Sequence, residues 1–235
     1  MRLDKFLCDT TDLTRSLAKK ALHRGEVTVD GAVIKNPATQ VGEEHDVRWL
    51  EDPLALSGNR YLMLYKPLGV ECTTRPDQYP TVLELIDLPN VGRLHPVGRL
   101  DVDTTGIVLL TDDGKWSHRV TSPRKACPKV YQVTLASPLD ADEAETARRR
   151  FAEGIQLDGE ERPTQPAEFD WLSPTQARVT LTEGRYHQVR RMVAALGNRV
   201  AALHRESIGP LVLDPDLEPG ECRHLRPEEV AVFGE

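Results

Sequence analysis

The stretch Gly98–Gly114, GRLDVDTTGIVLLTDDG, constrains this chain more than any other. It sets two carboxylates, Asp101 and Asp103, two residues apart, then passes Thr105 and Gly106 into the apolar run IVLL. Such a run, bounded by turn-forming residues, has the length and the β-branched character of a strand. The carboxylates therefore sit in a loop that enters a strand.

Three chemistries compete for that loop. Asp101, Asp103, Thr105, Gly106 and Asp112 fall on positions one, three, five, six and twelve of an EF-hand calcium loop. That loop needs a helix before it, whereas HPVGRL contains Pro96 and Gly98, and its bidentate glutamate is here an aspartate. DVDTT also fits DxDxT, the signature of haloacid-dehalogenase-type magnesium phosphatases, but LHPVGRL is a poor match for the buried strand those proteins place in front. The third reading is one catalytic aspartate beside Arg99, a nucleophile or a base. A loop acid paired to an arginine with no chemistry fits these residues equally well.

Charge narrows the partner. The net charge of −7 opposes nucleic-acid binding if spread evenly. It is not even. Arg185–Arg205 holds five arginines, two histidines and no acid, and Lys115–Tyr131 holds five basic residues and no acid. Residues 140–170 carry ten acids against four arginines. Basic islands in an acidic chain suit a localised polyanion site. No apolar run approaches the roughly 18 residues of a membrane span, and the charged start MRLDKFLCDT is unlike a signal peptide. Cys8, Cys72, Cys127 and Cys222 form no CxxC pair, so they are expected to be reduced thiols of a cytoplasmic protein, not zinc ligands.

The pattern divides at 50. LDKFLCD and TRSLAKKALHRG have helical spacing, with Leu13, Leu17 and Leu22 as apolar markers and Gly25 as a stop. VTVDGAVI reads as a hairpin turning at Asp30-Gly31. This helix–helix–hairpin order over residues 1–50 resembles the S4 RNA-binding fold, and Arg2, Lys5, Arg15, Lys19, Lys20 and Arg24 are its expected RNA contacts. Residues 51–60, with Pro53 and Ser57-Gly58, read as a linker. Residues 61–235 intermix strands (YLMLY, GIVLLT, VYQVTL, ARVTLT) with helices, among them DADEAETARRRFAEG and HQVRRMVAALG. TVLELI opens on a capping-box pattern, Thr81 and Glu84. Without regular βαβ alternation this favours an α+β domain on a mostly antiparallel sheet.

Five ordered motifs carry a wider resemblance: KPLG at Lys66–Gly69, GRLDVDTTGIVLLTDDG, KVY at Lys129–Tyr131, EGRYHQVRRM at Glu183–Met192, and the tail HRESIGPLVLDPDLEPGECRHL. Together they resemble the RsuA/RluB group of pseudouridine synthases, whose motifs read KPxG, GRLDxxTxGLLLLTxDG, K.Y and EGRxHQVRRM. One departure is Tyr65, where that group often has asparagine. The phrases RLDKFL, DDGKWSHRVTSPR and TEGRYHQV lean toward the branch acting on small-subunit (16S) ribosomal RNA.

The resemblance implies conversion of a uridine to pseudouridine with no cofactor and no metal. It implies that Asp101 acts at C1′, by attack or by assisting departure and deprotonation, on a base flipped out of its stack. It assigns Tyr131 to stacking on the uracil, Arg190 to pairing with the catalytic aspartate, Arg99 to the nucleotide or its phosphate, and Lys66 to a phosphate or to support of the loop. Asp103 and Thr104 are expected to shape the loop, and His187 reads as a first-turn polar residue without a catalytic role. A monomer acting on 16S RNA in a partly assembled subunit is the expected state. A sibling synthase for large-subunit RNA and a non-catalytic assembly factor are the rival functions.

Overall fold

The computed structural model describes residues 1–11, 13–42, 44–55, 58–88 and 90–234. The chain divides into two compact units, Met1–Arg60 with Leu88–Arg93, and Tyr61–Asp87 with Leu94–Glu235.

The first unit contains α1 (Leu3–Thr10), α2 (Arg15–Arg24), β1 (Val27–Val29), β2 (Ala32–Val33), β3 (Val47–Trp49) and β4 (Asp52–Leu54). Thr14 caps α2 by accepting from the Leu17 amide, and Gly25 ends it in the left-handed region at φ 76°. Leu3, Phe6 and Leu7 of α1 and Ala18, Ala21 and Leu22 of α2 close on Val27 and Val47. Leu17, expected as a core marker, is instead 46% exposed. Starting the helix at Arg15 turns the 18–21–22 stripe inward and leaves position 17 a quarter-turn outside it.

The four strands pair antiparallel in the order β2-β1-β3-β4. The β1–β2 hairpin turns at Asp30 and Gly31, both at positive φ, as the sequence indicated. The 51–60 stretch differs from a plain linker. Leu50 and Glu51, at φ 51° and 70°, turn the chain so that Asp52 pairs with Trp49 and β4 becomes an edge strand. Pro53 is tolerated there because an edge strand need not donate outward. Leu56 and Ser57 of that stretch lie outside the described residues. Leu88–Arg93 belongs with this unit because Arg60 donates to the Asn90 carbonyl at 2.9 Å and the Arg93 guanidinium bonds the Asp9 carbonyl.

The second unit runs β5 (Tyr61–Lys66), β6 (His95–Val97), β7 (Thr104–Thr111), α3 (Gly114–Thr121), β8 (Lys129–Leu135), α4 (Ala141–Glu153), β9 (Glu168–Ser173), β10 (Gln176–Leu181), α5 (Gln188–Ala194), β11 (Val200–Ile208), β12 (Leu211–Val212), β13 (Cys222–His224) and α6 (Pro227–Ala231). Its sheet has the order β13-β5-β7-β11-β8-β10-β9, with β6 on β7 and β12 on β11. Among the described pairs only β7 and β11 run parallel, so the α+β, mostly antiparallel reading holds. Thr81 and Glu84 form their capping box on a 3-10 turn, Val82–Leu85.

Asp113 starts α3 by accepting from the amides of Lys115 and Trp116. Asp140 and Glu143 start α4 with a capping box. Ala147 and Phe151 of α4 and Val189, Met192 and Val193 of α5 pack on Val133, Phe169, Val179 and Leu203 of the sheet. Phe151 is fully buried, and such a ring contributes about 3–5 kcal/mol relative to alanine.

One row of the sheet positions the site. Lys66 pairs with Gly106, Gly106 with Arg205, and Arg205 with Tyr131. Residues in one row point to one face, so Lys66, Arg205 and Tyr131 share a face. Gly106 makes the row possible. A β-carbon there would lie 2.2 Å from the Arg205 carbonyl oxygen, on a backbone at φ 114°.

Candidate active site

Asp101 lies in the turn between β6 and β7, where the Thr104 amide donates to its carbonyl at 3.1 Å. Its carboxylate is about one-third exposed. The loop around it is held by cations acting on main-chain oxygens. Lys66 Nζ donates to the carbonyls of Pro67 at 2.7 Å, Thr104 at 2.8 Å and Val102 at 3.4 Å. Arg205 Nε donates to Ile107 O at 2.9 Å and Nη1 to Arg99 O at 3.4 Å. Arg190 Nη2 donates to Asp103 O at 3.1 Å and bonds its carboxylate at 2.9 Å. The carbonyls of residues 99, 102, 103 and 104 therefore each face a cation, which fixes the backbone on both sides of Asp101.

Several expected residues are relocated by this geometry. Arg190, expected to pair with Asp101, pairs with Asp103 instead. It lies in the first turn of α5, and from there its guanidinium meets the far side of the loop turn, with Thr104 Oγ1 at 3.4 Å. Asp103 is thus a bracket for the loop. Lys66, expected at a phosphate or in support of the loop, is fully buried, and of the two its geometry matches loop support. Burial pushes its ammonium below the ordinary lysine value, the Cys72 thiol and the carboxylates of Asp103 and Asp101 opposing the shift. Tyr131 lies half-buried on β8 against the core shared with α4 and α5. Arg99 is exposed and makes no side-chain hydrogen bond or ion pair among the described residues.

Two further residues join the set. His187 Nε2 is 3.4 Å from Asp101 Oδ1. It reaches the carboxylate because it holds a left-handed backbone, φ 48°, at the residue before α5, and no spacing rule reveals that. The segment around it is braced: Gln188 accepts from the Arg185 amide at 2.8 Å and donates to Glu183 at 2.7 Å. Arg205 is 2% exposed with no carboxylate partner and a buried Nη2 that meets no acceptor among the described residues. Its sequence signal is its place in the tail motif that begins HRESIG.

The calcium and phosphatase readings lose their geometry. Asp112 is separated from Asp101 by the whole of β7, whose eight residues span roughly 26 Å in an extended strand. The strand before Asp101 is the three-residue β6, antiparallel to β7, not a buried strand feeding a phosphatase nucleophile.

Residues 60–195 match the RNA pseudouridylate synthase family, and residues 1–47 match the S4 domain. The ribosomal small subunit pseudouridine synthase A of Escherichia coli K12 is 51% identical over 98% of this chain and 99% of its own length. The proteins of that name from Yersinia pestis and Vibrio cholerae are each 52% identical, over 100% and 98% of this chain and 98% of their own lengths. A crystal structure of a pseudouridylate synthase superposes with a TM-score of 0.70 at 46% identity, covering 99% of both chains. The chain belongs to the RNA pseudouridylate synthase family. The synthase also carries an S4 RNA-binding domain, and no described helix is long and apolar enough to cross a membrane.

On the S4 unit, Arg15, Lys19 and Lys20 are exposed on α2 without ion-pair partners among the described residues. Arg2, Lys5 and Arg24 are already engaged, with Asp4 at 2.9 Å, Asp9 at 2.5 Å and Glu26 at 3.5 Å. The synthase's sheet also carries a concavity of about 430 Å³, lined in part by Tyr65, Arg178, His204 and Asp214. Tyr65 and His204 alternate with Lys66 and Arg205, so this cavity opens on the face away from the Lys66–Arg205–Tyr131 row. The four cysteines are free, and burial raises the Cys72 and Cys127 thiols.

Proposed function

We propose that this synthase isomerises one uridine of small-subunit (16S) ribosomal RNA, with Asp101 as the nucleophile and the target nucleotide turned out of its stack. The substrate class is supported by full-length relatives of about 51–52% identity named for the ribosomal small subunit. The carrying observation is the fixed presentation of Asp101, whose flanking carbonyls are pinned by Lys66, Arg190 and Arg205 while its carboxylate stays open to solvent. Pre-set geometry of this kind lowers the entropic part of a barrier.

The reaction breaks the N1–C1′ bond and makes a C5–C1′ bond. C5 loses a hydrogen and N1 gains one, so the composition is unchanged. Asp101 attacks C1′ and holds the sugar while the uracil turns. C5 then attacks C1′, and the released carboxylate takes the C5 proton. C1′ is inaccessible in a stacked helix, so base flipping is part of the reading. Tyr131 stacks on the uracil, and Arg99, free of internal partners among the described residues, takes a phosphate of the target strand. Arg15, Lys19 and Lys20, with Arg2, Lys5 and Arg24 as weaker contributors, hold RNA through the S4 unit. The synthase acts as a monomer on a partly assembled subunit in the cytoplasm.

Turnover on a 16S fragment tests the assignment. Asp101→Asn abolishes pseudouridine formation with RNA affinity retained, and Asp103→Asn leaves measurable activity. The opposite ranking contradicts it.

A further inference from the structure

We propose that Tyr186 and His187 form a nucleobase-stacking subsite beside Asp101, which takes the base of the nucleotide next to the target uridine in single-stranded RNA. The proposal rests on the RNA-modifying reading above. Tyr186 is 72% exposed, more than any other large apolar or aromatic side chain among the described residues. Its ring lies flat on His187, with centroids 3.8 Å apart and planes at 18°. The other end of His187 reaches Asp101, Nε2 to Oδ1 at 3.4 Å. Carboxylate, imidazole and phenol thus form one line from the reacting centre outward, and the last ring keeps a face open to water.

An aromatic left this exposed forgoes burial unless something covers it. Here it is also held ready. The Tyr186 carbonyl accepts from Arg191 at 3.2 Å, and the left-handed backbone of His187 sets the angle between the two rings. A pre-ordered ring loses little entropy when a base stacks on it. Arg185 and Arg191 beside the ring are held by Glu183 and Glu160, so the subsite rests on stacking and not on phosphate contacts. Stacking tolerates any base, so the subsite adds affinity and registers the strand without reading its sequence.

The test uses the full chain and a 16S fragment, with both turnover and equilibrium Kd measured. Tyr186→Ala is expected to raise KM and Kd by roughly 5- to 100-fold with kcat little changed, and Tyr186→Phe to behave as wild type. Fragments made abasic at each neighbour of the target uridine supply the second arm. At one neighbour the abasic fragment should bind wild type and Tyr186→Ala equally. Unchanged KM and Kd in Tyr186→Ala overturns the proposal. So does a loss confined to kcat, or a penalty that persists with every abasic fragment, because the pair would then act only on Asp101. Absence of turnover by wild type would refute the reaction, while the Kd comparison would still decide the subsite.

Discussion

Lys66 separates two kinds of basic residue that look alike in a motif. An ammonium that serves phosphate must meet solvent. One that is fully buried and donates to three carbonyls serves the backbone. Lys66→Met strands those carbonyls, which costs about 1–3 kcal/mol. It should lower kcat roughly a hundredfold by loosening the Asp101 loop, with KM little changed. Steady-state kinetics with denaturant unfolding checks this, and a change confined to KM would restore the phosphate role. At this scale motif position singles out Asp101, Arg99, Tyr131 and Arg205 as candidates. The Arg190–Asp103 pair and the reach of His187 to Asp101 are not legible there. Each depends on where a loop bends or which strand lies alongside, as at Gly106, and a linear string does not carry that distance.

Elements are legible where periodicity and end signals agree. Thr14 and Gly25 bracket α2, Asp140 and Gly154 bracket α4, and Asp30-Gly31 turns the β1–β2 hairpin. Leu17 misleads because an apolar residue in a first turn looks like part of the stripe. β4 escapes a reading of the sequence because its turn, Leu50-Glu51, lacks the glycine or asparagine that usually marks positive φ. The joint between β13 and α6 shows how a late element is secured. Arg223 donates a bidentate pair of hydrogen bonds to the Glu229 carboxylate, each 2.8 Å, and also holds Asp214. Its guanidinium keeps the Glu229 carboxyl down at about 2, below the ordinary 4.5. A depressed folded-state value stabilises the protein above the unfolded value, and the gain is lost as pH falls through the folded one. Wild type should therefore exceed Glu229→Gln by on the order of 3 kcal/mol at neutral pH. Unfolding free energies should converge between about pH 4.5 and 2. A gap independent of pH would mean that the pair contributes by shape alone.

For the molecule as a whole, a net charge of −7 and RNA as substrate are compatible because the charge is partitioned. The acids gather over residues 140–170 and near the C-terminus, while α2 keeps Arg15, Lys19 and Lys20 exposed and unpaired among the described residues. Reversing all three to glutamate should weaken RNA binding and flatten its dependence on salt. On a single strand the slope should fall by about 0.7 for each phosphate that the protein no longer neutralises. Binding across a salt series measures both, and an unchanged slope would remove α2 from the RNA interface. The proposed reaction makes one uridine of the small ribosomal subunit into pseudouridine through Asp101. Pseudouridine mapping of both ribosomal RNAs, in cells lacking the protein and in cells supplied with wild type or Asp101→Asn, tests it most directly. One small-subunit uridine should lose its modification and regain it only with wild type. A missing modification in the large subunit would contradict the target, and rescue by Asp101→Asn would contradict the chemistry.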